Sequence, residues 1–380
     1  MSDELLVQAP PIARKRWWII LLLIPILSLP AGLIIRSIKE RQAIQAWETF
    51  KISAEAGGED FRSAAWSPAA VPDDQNFAKH PWIVKLIGGE ELPAAELSLK
   101  IRDLPILEEY TGPEDGNLWL AENPGVAQEV LALTKSVDLA SLREAAALPG
   151  CRWPWSITMS DNHSVEIKRL GNLGSLLGLE AEAALATGDL VTATADLEAL
   201  LRIGNFQRAQ NNLLCVIYGA GMESAAVNLI ESGLRSRAFS PDDRKRLLAA
   251  CRARTITDEL AKTMRYERGS YLEMLSLLEQ SARSNPGSQM TLTGVFSSTE
   301  ETLARSRLFY CQSVQAVLQG PGGRSDWERL AATFEKEISL KSKSKGDPLA
   351  IPVLYSTTSV IPPMMEIETR FDSMRKHLAE

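Results

Sequence analysis

An all-α fold is predicted by three features of this sequence. From residue 123 onward, apolar side chains recur at the three- and four-residue spacing that builds one face of a helix. Capping signals stand where these runs begin, and strand-like alternation is confined to a short stretch around Ile157 and Met159. The architecture expected is a single N-terminal transmembrane helix, an irregular proline-rich collar, and a solenoid-like array of antiparallel helix pairs.

Residues 1–13 are a short tail, and residues 14–35 are the expected anchor. Trp17 to Ile35 is a run of nineteen residues without a formal charge, preceded by Arg14, Lys15 and Arg16. At about 1.5 Å per residue the run reaches roughly 28 Å, close to the thickness of the hydrocarbon core of a bilayer. Trp17 and Trp18 suit the lipid–water boundary, and a membrane helix tolerates Pro25 and Pro30 with a kink. Leu29 and Pro30 fit a signal-peptidase site poorly, so the run is expected to stay on the chain and contact the bilayer through residues 17–35.

Residues 36–56 continue as a membrane-proximal helix carrying Ile38, Ile44, Trp47 and Phe50, with Gly57-Gly58 as its stop. Residues 57–122 form the collar, where Pro68, Pro72, Pro81, Pro93, Pro105 and Pro113 exclude long helices. Residues 123–340 form the helical body. Asn123-Pro124 opens its first helix; Leu170, Leu173, Leu177, Ala181 and Ala184 mark a second, and Leu190, Leu197 and Leu201 a third, with Gly188-Asp189 as the turn between them. Gly174 and Gly178 are expected to let another helix approach closely. Leu214, Tyr218, Gly221, Ala225 and Leu229 read as the stripe of the next helix. Ser240-Pro241-Asp242-Asp243, Ser298 with Glu301, and Ser325 with Glu328 read as capping sequences. Leu260, Met264, Tyr271, Leu275 and Leu278 form a further stripe ending at Asn285-Pro286-Gly287. Residues 341–380 comprise a lysine-serine linker, a strap broken by Pro348, Pro352, Pro362 and Pro363, and a closing helix from Met364 to Glu380.

The formal charge is −7, and residues 1–41 carry +3, which leaves −10 on the remainder. A nucleic-acid role, which needs a basic face, is therefore not expected. Cys151, Cys215, Cys251 and Cys311 are too far apart in sequence for a metal knuckle, and three of them fall in apolar helical runs, so buried free thiols are expected.

Two stretches carry resemblances. Leu179 to Asp189, followed by Ala193 and Leu197, resembles the middle of one tetratricopeptide repeat, without neighbours at the 34-residue period. The order of parts, with Val71-Pro72-Asp73-Asp74-Gln75-Asn76-Phe77-Ala78, then Arg152-Trp153-Pro154-Trp155, then the pair around Gly188-Asp189 and Leu200-Leu201-Arg202, resembles an uncharacterised, much-duplicated family of membrane-anchored bacterial proteins. That resemblance implies an anchor, a collar and a helical body, and no activity. Basic residues flank the anchor evenly, but a short basic tail before a first apolar helix resembles an uncleaved signal anchor. The body is accordingly expected on the periplasmic side of a bacterial inner membrane.

No catalytic, cofactor-binding or metal-binding residue is predicted, and no cofactor. His80, His163 and His377 are the only histidines, and no paired Cys-x-x-Cys is present. Ser160-Asp161-Asn162-His163-Ser164 gathers a nucleophile, an acid and a base, yet adjacent residues seldom converge on one atom, and the same types open helices. Asp73, Asp74, Gln75 and Asn76 lack the spacing of a calcium loop, and Gly320, Gly322 and Gly323 lack the lysine of a phosphate loop. Trp153 and Trp155 suit the join between layers better than ligand stacking. The function expected is a non-enzymatic interaction or scaffold module of the cell envelope with a protein or peptide partner. The alternatives are an anchored hydrolase using His163 with acids or serines from other helices, and a subunit of a secretion or envelope assembly.

Overall fold

The computed structural model describes residues 12–87, 119–153, 164–251, 256–284, 299–319 and 361–380, and among them every regular element is helical. The chain divides into two compact units: Met1–Glu59 with Leu275–Cys311, and Asp60–Met274 with Gln312–Glu380. The second unit holds the described collar residues and most of the described body.

In the first unit, α1 (Ile12–Ala56) joins the apolar run and the membrane-proximal segment into one helix of 45 residues. Its stop is a Schellman turn: Gly58 sits at φ +89°, its N–H donates to Glu55 O at 3.0 Å, and Glu59 N donates to Ala54 O at 3.1 Å. Only a residue without Cβ takes that left-handed position freely, which is why Gly57-Gly58 ends the helix. Trp47 is buried with its ring 6.1 Å from that of Phe50, whereas Ile38 and Ile44 are exposed. The side chains of residues 12–32 lie outside the described residues.

In the second unit, the collar is built from 3-10 turns at Ser63–Trp66, Asp73–Gln75 and Phe77–Lys79 and from the short helices α2 (Pro81–Ile87) and α3 (Trp119–Glu122). Their brevity is what the prolines require. Next come α4 (Pro124–Thr134) and α5 (Leu139–Ala146). Proline opens α4 as expected, but Asn123 does not cap it: its Nδ2 donates backwards to Trp119 O at 3.0 Å. Asp138 does cap α5, accepting from Ser141 N at 3.0 Å.

The centre of this unit is the trio α6 (Ser164–Thr187), α7 (Leu190–Arg208) and α8 (Leu213–Arg235). Gly188 at φ +79° and the Asp189 cap, which accepts from Thr192 N at 3.2 Å, make the turn that folds α7 back on α6. Gly171 faces Tyr218 and Gly174 faces Met222, a register that runs α6 and α8 in the same direction, with α7 antiparallel to both. The tightest approach is between α7 and α8: a Cβ on Gly219 would lie 2.5 Å from the Gly204 carbonyl oxygen. Two expectations are corrected here. Gly178 makes only an ordinary contact, 3.8 Å from Leu200, so Gly171 and Gly174 are the close-approach pair. Gly221 meets nothing within 4 Å, and the inward face of α8 is Cys215, Val216, Gly219, Met222, Ala226 and Ile230. Of the expected stripe, Leu229 is buried and Leu214, Tyr218 and Ala225 pack against the core, so Gly221 is the member that faces away.

Among the described residues α8 is the one helix long and apolar enough to cross a membrane, and 56% of its most apolar window is buried in the protein. It packs on α6 and α7 and carries the ion-paired Glu223, so its apolar character is accounted for by a core position.

Helix α9 (Pro241–Ala250) begins with the predicted capping box, in which Ser240 and Asp243 each receive the other's N–H. Helix α10 (Ile256–Ser284) buries Leu260, Met264, Tyr271 and Leu275 as predicted, and α11 (Thr299–Leu318) buries Leu303, Tyr310 and Val314. Helix α12 (Ile361–Ala379) packs on α8 and α9 through Met374 and Leu378. It starts three residues before the expected Met364, taking Pro362 and Pro363 into a first turn that needs no proline N–H. All four cysteines are buried free thiols. The linker, the strap as far as residue 360, and the capping pair Ser325 and Glu328 lie outside the described residues.

Candidate functional site

The two strings that carry the family resemblance meet in space. Phe77 N donates to Gly150 O at 2.8 Å, and Gly150 N donates to Gln75 O at 3.2 Å. Asn76 completes the clasp, for its Oδ1 accepts from Arg152 N at 2.9 Å and from Ala78 N at 3.1 Å while its Nδ2 donates to Arg152 O at 3.0 Å. Gln210, in the turn that follows α7, holds the same loop by donating to Cys151 O at 3.1 Å. Trp153 is 4% exposed, edge-on to Phe77 at 5.9 Å, and Phe77 lies 5.3 Å from Phe206. A ring enclosed in this way is a packing element and offers no face to a ligand. Ile157 and Met159, where strand-like alternation was expected, lie outside the described residues; a single bridge pairs Asn76 with Gly150.

His163 and its neighbours Ser160, Asp161 and Asn162, like Trp155, lie outside the described residues. Asp73 and Asp74 are exposed at the start of a 3-10 turn, and no group of three potential metal ligands occurs among the described residues.

The chemistry that sequence reasoning missed is buried acid. Arg143 of α5 donates through Nε to Asp196 of α7 at 2.6 Å and through Nη2 to Glu180 of α6 at 2.6 Å. Glu180 also accepts from Thr134 Oγ1 of α4 at 2.8 Å. Two carboxyl groups therefore share one guanidinium. Burial pushes Asp196 up to about 8, with Arg143 opposing and the neighbouring Glu180 adding to the rise.

A second cluster joins α7, α8 and α10. Arg208 pairs with Glu223 and, at 2.5 Å, with Glu259. Asn212 caps α8 by accepting from Leu214 N at 3.0 Å and Cys215 N at 3.2 Å. Glu267 of α10 adds a cap from outside, accepting from Leu213 N at 2.7 Å and from Asn212 Nδ2 at 3.1 Å. Burial raises Glu267 to about 7, against the lowering by Leu213 N–H. Both clusters hold helices together, and their acids are too enclosed to receive a substrate.

A small molecule can instead reach a cleft of about 440 Å³ where α8, α9 and α12 come together, lined by Glu231, Leu234, Arg235, Arg244, His377 and Glu380. Glu231 and Arg235 lie four apart in the last two turns of α8, so they share one face at its C-terminal end. Sequence periodicity marks that face as solvated helix surface and gives no sign that α12 returns to it. Comparison with family models, with curated proteins and with solved structures found no match to this chain. The family resemblance accordingly rests on its own residues.

Proposed function

We propose that this chain is a single-pass membrane protein of the bacterial envelope, anchored through residues 17–35, whose helical body binds a protein or peptide partner and performs no catalysis. The observation that carries the anchor is the end of the apolar run. Leu33, Ile34 and Ile35 are 57%, 61% and 53% exposed on successive positions of α1, and Ile38 is 49% exposed. Successive helical residues are about 100° apart, so these four apolar side chains cover an arc of about 200° around the axis. A helix with so broad an apolar face left uncovered by protein is suited to lipid. The basic residues at both ends fit the same anchor, and its likeness to an uncleaved signal anchor with a short basic tail favours the body on the periplasmic side. The interaction role is supported by the stacking of α6, α7 and α8 through short turns, the arrangement from which helical repeat proteins build partner-binding surfaces.

The test is fractionation of cells expressing the full-length chain, followed by alkaline carbonate washing. Retention in the membrane, and release on deletion of residues 17–35, is expected. Recovery of the uncut chain in the soluble fraction would overturn the anchor. For the partner, site-specific photo-crosslinking from exposed positions of α6 and α8 in intact cells should give a discrete adduct, and its absence at every position would remove the interaction role.

A further inference from the structure

The cleft between α8, α9 and α12 differs in charge from the rest of the molecule. We infer that it is a binding site for a small organic oxyanion, a carboxylate or phosphate group on a compact body. Outside the N-terminal segment the chain carries −10, yet Arg235 and Arg244 converge here from two helices, with His377 of α12 beside them. Of the two lining acids, Glu231 is already engaged, because Arg370 Nη2 donates to it at 2.8 Å. Its charge is compensated by a cation outside the lining, and Glu380 is the remaining acid.

Arg244 is the decisive group. It is half-buried and makes no ion pair among the described residues. In the same unit Arg143, Arg208 and Arg370 each meet a carboxylate at 2.8 Å or less. A guanidinium without a carboxylate partner keeps its parallel N–H groups available, and a planar oxyanion supplies two acceptor atoms at the right separation. The capping box occupies the N-terminal amides of α9, so the anion would be held by side chains and not by the helix end. Leu234 gives the cleft one apolar wall, and about 440 Å³ lies within the range of small-molecule sites. The inference is independent of the anchor and of the protein partner.

Calorimetric titration of the detergent-solubilised full-length chain tests it, with inorganic phosphate and succinate as separate probes. Saturable one-to-one binding of at least one is expected, and the one that binds identifies the oxyanion. Arg244→Gln should weaken that binding by at least about tenfold, as loss of a charge-assisted contact does. Lys245→Gln, which removes an exposed charge one residue away outside the lining, should leave it unchanged. Glu380→Gln should tighten it, and provides a variant at the chain surface whose folding is not at risk. Failure of both probes to bind, equal weakening by Arg244→Gln and Lys245→Gln, or an unchanged affinity in both Arg244→Gln and Glu380→Gln would each overturn the assignment.

Discussion

Asp196 meets Arg143 at 2.6 Å, with the carboxyl wholly enclosed and the guanidinium 27% exposed. That asymmetry sets the energetics: the acid has lost its water, and the arginine is what makes its position tolerable. Arg143→Met keeps the aliphatic stem and removes the cation, leaving Asp196 and Glu180 facing each other. Removal of one partner from a buried pair costs about 3–5 kcal/mol, and the partial exposure of Arg143 places this case toward the lower end. Adding Asp196→Asn should recover part of the loss. Denaturant titration of the single and double variants checks both outcomes, and identical stability of the two would exclude the coupling.

The same group makes stability depend on pH. The folded chain holds Asp196 at about 8 and Glu267 at about 7, against ordinary values of 3.8 and 4.5. Between roughly pH 4 and 8 the folded state therefore binds more protons than the unfolded state, so stability falls as pH rises through that window. Asp60, Asp138 and Asp243 are shifted downward by hydrogen bonds from Arg62, Ser141 and Ser240, so they oppose further acidification. A melting temperature highest at about pH 4–5 and declining toward pH 8 is expected. Asp196→Asn should flatten the decline, which a series of thermal melts would show directly.

Glycine substitutions should separate along α8. Gly219→Ala places a methyl group 2.5 Å from the Gly204 carbonyl oxygen and 3.0 Å from Arg208 N, all backbone, so α7 and α8 must move apart. A loss of about 3 kcal/mol or more is expected, from overpacking and disturbance of the Arg208–Glu223 pair that spans the same crossing. Gly221→Ala, two residues away, meets nothing and replaces glycine in a helix interior. It should stabilise the body by up to about 1 kcal/mol. Thermal melts of the pair give the contrast, and a stable Gly219→Ala would exclude the close crossing.

These two glycines also show what the sequence can and cannot reveal. Local rules located α9 through Ser240 and Asp243 and the α6–α7 turn through Gly188, because a cap or a left-handed residue is decided within a few positions of chain. They failed to distinguish Gly219 from Gly221, since both sit in an apolar helix and only tertiary packing decides which one meets a neighbour. The buried acids were hidden for the same reason. Glu180, Asp196 and Glu267 have their partners on other helices, at sequence separations of 37, 53 and 54. No spacing rule connects such positions. The cleft was equally hidden, because it needs α12 to return to the end of α8.

The clasp between Asn76 and Arg152 is the opposite case, since both ends stood out as strings while their meeting did not. Asn76→Ala would remove one donor and one acceptor that together make three hydrogen bonds, leaving Ala78 N–H, Arg152 N–H and Arg152 C=O to find other partners. Ala78 N–H is buried, and an orphaned buried donor costs about 1–3 kcal/mol, so a total loss of about 2–4 kcal/mol is expected. Asn76→Asp keeps the acceptor and loses the donation to Arg152 O, so it should cost less. Native-state hydrogen exchange gives a local readout. Phe77 N–H, which donates to Gly150 O, should lose protection in Asn76→Ala far more than amides of α6 do, because opening would be confined to the clasp. Equal loss of protection across α6 would mean that the clasp is part of the global core and not a separate latch.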